Sequence, residues 1–334
     1  MKRKVGLLCA CALLLTVVLV FNGCNRDGSG KVTLQLAHGQ VPSSEVAQIV
    51  ALLIETLADN PDFGLEMVIH DSGVLGTERQ LVELVKAGVI DMAKVAASSL
   101  DAFVPYYGIF ALPYLFQSED HYYRAMSESD AVRGIFESSR DDGFFAISYH
   151  PSGARNVYLV EDTPASGPSV LSGKKLRVME SPVAIRMIEL MGGTPVPMST
   201  GEVYTALQQG VLDGAENTEM VLNVNRHGEI VKAYTYTEHQ YLPDIFIINT
   251  NTWEKLSVEQ QQFLRDALAE NSEFYKASYK SMIDEATREG MAMGVNFYTI
   301  DKTAFIESVQ PMHQELRERG SDFAAFYDDI QIYR

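Results

Sequence analysis

The segments LVELVKAGVIDMA (81–93) and YTALQQGVLDGA (204–215) share one pattern: a helix, a capping glycine, two aliphatic residues, an aspartate, one further residue and an alanine. A glycine just past a helix end, followed by an apolar run, is how an α/β unit turns from its crossover helix back into its sheet. Its occurrence at the same kind of junction in both halves predicts two similar α/β lobes. Two lobes imply a cleft.

The elements around each junction fit that plan. KVTLQLAHG alternates as a strand, PSSEVAQIVALLIETLADNP is an amphipathic helix starting at Ser43 or Ser44 and ending before Pro61, and GLEMVIHDS is a second strand. TERQLVELVKAG is a helix ended by Gly88 and VIDMAKVA a third strand, so the chain opens β-α-β-α-β, the alternation of a parallel sheet with crossover helices. Further on, KKLRVME reads as a strand, Ser181-Pro182 as a cap and first helical residue, VAIRMIELM as a helix closed by Gly192-Gly193, and 194–198 as a short strand. Ser199-Thr-Gly-Glu202 is a capping-box sequence opening the next helix. From Ser257, Phe263, Ala267, Phe274, Ala277 and Ile283 fall near helical spacing, which predicts a helix of roughly 50 Å crossing both lobes.

The first 23 residues have a basic start (Lys2, Arg3, Lys4), an apolar run from Val5 to Phe21 and small or polar residues before Cys24, the layout of an export signal. Two of the three cysteines, Cys9 and Cys11, lie inside it, so the mature chain has no disulfide and no thiol nucleophile; about 300 residues bury enough core to do without cross-links. The formal charge is −17, and removing 1–23 takes away three basic residues and no acid, leaving −20. Nucleic acid and anionic lipid surfaces are poor partners for such a chain. An acidic exterior still permits an anionic ligand, because one buried arginine dominates the field inside a closed cleft.

No GxGxxG, P-loop, HExxH, GxSxG or CxxC motif is present. The seven histidines lack metal-ligand spacing; His227 and His239 read as a surface residue and a strand-end hydrogen-bonder, not zinc ligands. No catalytic residue, metal site or cofactor is expected. What needs explaining is Arg177 in SGKKLRVMESP, near the carboxyl end of its strand, with Leu176 and Val178 on the opposite face. Ligands bind at the carboxyl ends of strands in open α/β sheets, and a guanidinium there takes either a ligand anion or an internal acid such as Glu180. Two further segments favour the ligand: HPSGARN puts Arg155 in a turn where the first lobe gives way to the second, and Glu216-Asn217 follows the strand VLDGA. His38, Ser98 and Asp244 are candidates on strand-end position alone.

The run GKKLRV, then PVPMSTGEVYTALQQGVLDGAEN, with GVLG (73–76), AGVIDMA (87–93) and FALPYLF (110–116), resembles the solute-binding proteins of TRAP (tripartite ATP-independent periplasmic) transporters, from about residue 32 to at least 290. The resemblance implies a periplasmic-binding-protein-like fold with the ligand between the lobes. It also implies a salt bridge from Arg177 to the ligand's carboxylate, a second arginine at Arg155 and a ligand-contacting asparagine at Asn217. At Met198-Ser199-Thr200 the chain departs from many sialic-acid-binding members, which have an aromatic residue where Thr200 stands; the departure makes sialic acid a doubtful ligand. Val20-Phe-Asn-Gly-Cys24 resembles a relaxed bacterial lipobox, implying lipidation at Cys24 and attachment to a bacterial membrane.

The expected organisation is therefore a signal (1–23), a tether (24–30), a first α/β domain from 31–153 plus 243–282 and a second from 154–242 plus 283–334. The expected function is capture of a small organic acid and its delivery to TRAP permease subunits. The alternatives are a binder of a longer apolar acid working with a periplasmic helper protein, and a cleft hydrolase.

Overall fold

The computed structural model describes residues 31–334; the signal, Cys24 and the tether lie outside the described residues. In chain order the strands are β1 (Val32–His38), β2 (Leu65–His70), β3 (Met92–Ala96), β4 (Phe144–His150), β5 (Ala154–Leu159), β6 (Lys175–Val178), β7 (Thr194–Pro197), β8 (Gly214–Asn217), β9 (Ala233–Tyr241), β10 (Asp244–Asn249) and β11 (Asn296–Thr299). They form two sheets, ordered β2-β1-β3-β10-β4 and β11-β9-β5-β8-β6-β7. β1 pairs in parallel with β2 and β3, and β6 in parallel with β7 and β8, as crossover connections require; β10 and β5 are antiparallel to their neighbours. This is the two-lobed α/β architecture expected from the repeated junction.

Local signals act where the sequence puts them. Ser44 caps the helix Glu45–Ala58 by accepting from the Ala47 amide, Ser181 caps Pro182–Leu190 with Pro182 at its first turn, and Ser199 and Glu202 close a capping box on Thr200–Gln208.

The lobes are joined at 150–154, where β4 leads to β5, at 241–244, where β9 leads to β10, and along the helix Val258–Ala292. This spine helix, 35 residues long, packs on the helix Glu45–Ala58 and β4 in the first lobe and on the turn Met220–Asn223 in the second. Its buried face differs from the stripe expected from the sequence: Phe274 and Ala277 are exposed, and Asn271, Tyr275 and Tyr279 are buried instead. Tyr275 stacks on His150 with ring centroids 4.4 Å apart, and Asn271 accepts from His150 and donates to the Ile49 carbonyl, so the phase is set by hydrogen-bonding rings as well as apolar bulk. Gly153 lies in the β4–β5 crossover, where a Cβ would sit 2.5 Å from the Tyr279 hydroxyl; only glycine lets the crossover pass under the spine.

The end of the chain also differs from expectation. The helix Thr303–Glu318 packs on Pro182–Leu190 of the second lobe, with Arg186 and Glu315 paired at 2.9 Å. The final helix, Ser321–Gln331, returns to the first lobe and docks on Asp130–Glu137, where Asp329 accepts from the Ala131 amide at 3.1 Å and His121 meets the Ile330 carbonyl at 2.8 Å. Residues 283–334 therefore do not all belong with the second lobe.

Candidate functional site

A cavity of about 460 Å³ lies between the lobes at the carboxyl ends of β1, β3, β6 and β8, within the range of roughly 300–1,000 Å³ typical of small-molecule sites. Arg155, Arg177, Thr200 and Asn217 line it from the second lobe, Asp244 and Ser99 from the first, and Tyr275 from the spine.

β6 is an inner strand between β7 and β8, so Leu176 and Val178 are wholly buried and Arg177, 3% exposed, reaches out of the end of the sheet. Its Nε donates to the Met198 carbonyl at 3.0 Å and its Nη2 to Thr200 Oγ1 at 3.3 Å. Both acceptors are neutral. Arg177 forms no ion pair among the described residues, and Glu180, the internal partner considered from sequence, is exposed at the cavity lip. Of the five guanidinium N–H donors two are used, leaving three, including both on Nη1. Burial pulls the Arg177 guanidinium below its ordinary value, partly countered by the field of Glu216.

Arg155 is the opposite case. Its Nε and Nη2 hold both oxygens of Glu216 at 2.6 and 2.9 Å, Nη2 also donates to the Glu216 carbonyl at 3.0 Å, and Nη1 donates to Asn217 Oδ1 at 3.0 Å. Four of five donors are used and one remains. Burial works against the charge of Arg155, but Glu216 outweighs it and the guanidinium is raised. Burial likewise opposes the Glu216 charge, yet Arg155 and a hydrogen bond from His239 hold that carboxyl down to about 2.

The remaining sequence candidates divide. Asn217 faces the cavity with Oδ1 already taken by Arg155 and by the Thr218 amide, so its NH₂ is the end available to a ligand oxygen. Thr200 and Asp244 also line the cavity; Asp244 is paired with the buried Lys94. Glu216, Ser98 and His38 are not on its wall. Glu216 is consumed by Arg155 and His239. Ser98 donates to Met179 Sδ at 3.0 Å, and the next residue, Ser99, reaches the cavity instead, because the chain leaves β3 at Ala96 and turns into the helix Ala97–Leu100. His38 is buried, its Nδ1 accepting from the Gln40 amide, and burial pushes its pKa down to about 4.

The sequence reading missed Glu78 and Arg79, which enter the cavity from the first turn of the helix Glu78–Lys86. Glu78 accepts from Ser99 Oγ at 2.5 Å and from the Ala96 amide at 3.2 Å, and burial raises its carboxyl. The signal was available: both residues follow the loop at the carboxyl end of β2. Among the described residues no three His, Cys, Asp or Glu side chains are grouped so as to hold a metal ion. The arrangement offers one arginine fork without an anion, a second arginine fixed beside it, hydroxyl, amide and carboxylate groups, and an apolar share of the wall made by Met179, Met198, Met220, Val221, Val224 and Leu242.

Comparison with known proteins identifies a family and a fold. The model of the family described as bacterial extracellular solute-binding protein, family 7, matches residues 37–319. The uncharacterised protein YiiZ of Salmonella typhimurium is 39% identical over 291 residues, covering 87% of this chain and 88% of that protein. Among solved structures, a TRAP periplasmic solute-binding protein of Anaerococcus prevotii with bound D-glucuronate superposes with a TM-score of 0.87 at 36% identity, covering 90% of this chain and 97% of that one. Another, from Chromohalobacter salexigens and also with bound D-glucuronate, gives a TM-score of 0.86 at 27% identity, covering 90% and 100%.

Proposed function

Since this chain belongs to the bacterial extracellular solute-binding proteins of family 7, binding proteins of TRAP type and not enzymes, we propose that its cleft captures a hexuronate, a six-carbon sugar acid of the D-glucuronate kind. The observation that carries this is Arg177: a buried guanidinium with three free donors and no counter-ion, opening on the cavity. A carboxylate accepts two parallel hydrogen bonds from such a fork and supplies the missing charge. Arg155 adds one N–H and Asn217 its NH₂, while Glu78, Ser99 and Asp244 offer acceptors to ring hydroxyls. Closure of the lobes removes water from the ion pair and strengthens it.

The hydroxyl, amide and carboxylate groups of the wall support a hydroxylated acid; a longer apolar acid handled with a periplasmic helper protein is the second reading, favoured by Met179, Met198, Met220, Val221, Val224 and Leu242 on the same wall. In this reading the chain is exported, held at a bacterial membrane through a lipid on Cys24 and tethered by 24–30, and hands its ligand to TRAP permease subunits, as the sequence suggests.

Calorimetry of the purified protein against D-glucuronate, D-galacturonate, sialic acid and a C4-dicarboxylate, with Arg177→Ala alongside, tests it. A hexuronate is expected to bind at micromolar Kd or tighter, with a loss of more than about 2 kcal/mol in the variant. Absence of hexuronate binding, or binding indifferent to Arg177, overturns it.

A further inference from the structure

Beyond the cavity, the segment that follows β6 makes two more contacts with the first lobe. Arg177 faces the ligand space, Met179 receives the Ser98 hydroxyl at 3.0 Å, and Ser181 Oγ donates to Asp101 Oδ2 at 2.5 Å. Ser181 is the N-cap of Pro182–Leu190, accepting from the Ala184 amide at 3.2 Å, and the Val183 amide in the first turn also favours the charge on Asp101. An acid carried by the first lobe thus finishes the cap of a helix belonging to the second. The surfaces around it are close: at Gly108, in the first lobe, a Cβ would meet Val183 at 3.2 Å and Asp101 at 3.3 Å.

The contact is tight in geometry, and the charge it buries is only partly compensated. Asp101 is 7% exposed and Ser181 not at all, yet Asp101 Oδ1 is buried with no hydrogen-bond partner, and no arginine or lysine pairs with it among the described residues. Arg319, at the end of the helix Thr303–Glu318, is the charged group whose field reaches it. A helix N-terminus and one hydroxyl only partly compensate a buried carboxylate. The apolar packing of Val183 beside Gly108 carries the fit between the two surfaces, and the poorly compensated Asp101 carboxylate is the part of the contact that protonation changes.

We propose that Asp101 and Ser181 form a latch between the lobes that holds the ligand-closed cleft shut and sets the rate at which the ligand leaves. Arg177 lies four residues before Ser181 on the same segment, so a ligand that fixes Arg177 also brings the cap onto Asp101. The latch has a built-in pH sense. Burial pushes the Asp101 carboxyl up to about 6, so the closed form takes up a proton that the open, hydrated acid does not, and closure is favoured as pH falls through that value.

The test is the dissociation rate of D-glucuronate from the purified protein by stopped flow, at pH 7.5 and pH 5, for wild type, Asp101→Ala, Asp101→Asn, Ser181→Ala and the double alanine variant. Wild type is expected to release about tenfold more slowly at pH 5 than at pH 7.5, the change that a shift from 3.8 to about 6 gives. Asp101→Asn, neutral and of the same shape, is expected to release slowly at both values and serves as the folded control. Asp101→Ala is expected to release quickly at both, Ser181→Ala quickly at pH 7.5 with the slowing at pH 5 retained because Asp101 stays buried, and the double variant no faster than Asp101→Ala. Glu219, whose carboxyl burial raises to about 7, titrates in the same window in every variant, so the comparison isolates Asp101. Equal pH profiles for wild type and Asp101→Ala, or additive effects of the two alanines, overturn the latch. The proposal rests on the binding-protein reading but not on the uronate. Should D-glucuronate fail to bind, the same rates are read with whichever of D-galacturonate, sialic acid or the C4-dicarboxylate binds, and the same outcomes support or overturn the latch.

Discussion

Arg155 and Glu216 are locked side by side, with Nε and Nη2 of the guanidinium on Oε2 and Oε1 of the carboxylate at 2.6 and 2.9 Å, across adjacent strands of the second sheet. Both groups are buried, so each depends on the other for its charge. Removing one partner of such a pair leaves an uncompensated ion. Glu216→Gln is expected to lower unfolding free energy by about 3–5 kcal/mol, measured by denaturant titration.

The same pair fixes a pH dependence. Glu216 is held down to about 2 from an ordinary value of 4.5, so its contribution is fully present above pH 4.5 and is lost as the pH falls toward 2. Melting temperatures measured across that window are expected to fall more steeply for wild type than for Glu216→Gln, which cannot take up the proton. Parallel slopes would show that the pair does not govern acid stability.

Arg177 presents the converse. Its charge is buried without an anion until a ligand arrives, which makes the ligand-free protein less stable than it need be. Arg177→Met is therefore expected to raise the melting temperature of the ligand-free protein while abolishing acid binding, the trade-off expected where a site stores an unpaired charge. Arg177→Lys keeps the charge but loses the fork, and is expected to weaken binding by about 1–3 kcal/mol in calorimetry.

Thr200 sits where a ring would reach across the cavity beside Arg177. Thr200→Phe places extra volume in a space of about 460 Å³ and removes the hydroxyl that receives Nη2. Hexuronate affinity is expected to fall at least about tenfold, or roughly 1.4 kcal/mol, with the fold unchanged. Unaltered affinity would mean that the ligand occupies the far side of the cavity, toward Glu78.

Gly153→Ala drives a methyl group into the Tyr279 ring at the lobe crossover. Overpacking of this kind costs about 1–3 kcal/mol. The Tyr279→Leu background, which removes the ring, is expected to return part of that loss, and chemical denaturation of the four proteins of the cycle checks it.

Much of this was legible in the sequence because the signals were local. The caps at Ser44 and Ser181, the capping box at 199–202 and the glycine-ended helices are set by residues within one turn of each other. The rule that ligand groups gather at strand ends put Arg177, Asn217 and Asp244 on the cavity wall, and the family resemblance drew attention to Arg155 and Thr200; the rule failed at His38 and Glu216, which are buried off the wall, and slipped by one residue at Ser98, where a helical turn replaces the pleat. What was not legible was pairing at a distance. Glu216 reads as a free carboxylate until Arg155, 61 positions away, is brought beside it. Phe274 and Tyr275 are both suited to burial, and only the position of His150 decides between their two faces of the spine helix. An amphipathic pattern over 321–331 predicts an apolar face but not which lobe that face covers.

The insertion of β10 between β3 and β4 constrains the order of assembly. β4 is an edge strand whose one partner in the sheet is β10, and β10 ends at Asn249. A chain emerging amino terminus first therefore leaves β4 unpaired until about three-quarters of its length is available, and the first lobe is finished only after most of the second has appeared. No contiguous stretch consists of one lobe alone. A single cut cannot release one as a folding unit, and neither lobe can be exchanged as a cassette: the two halves of this binding site are obliged to mature together.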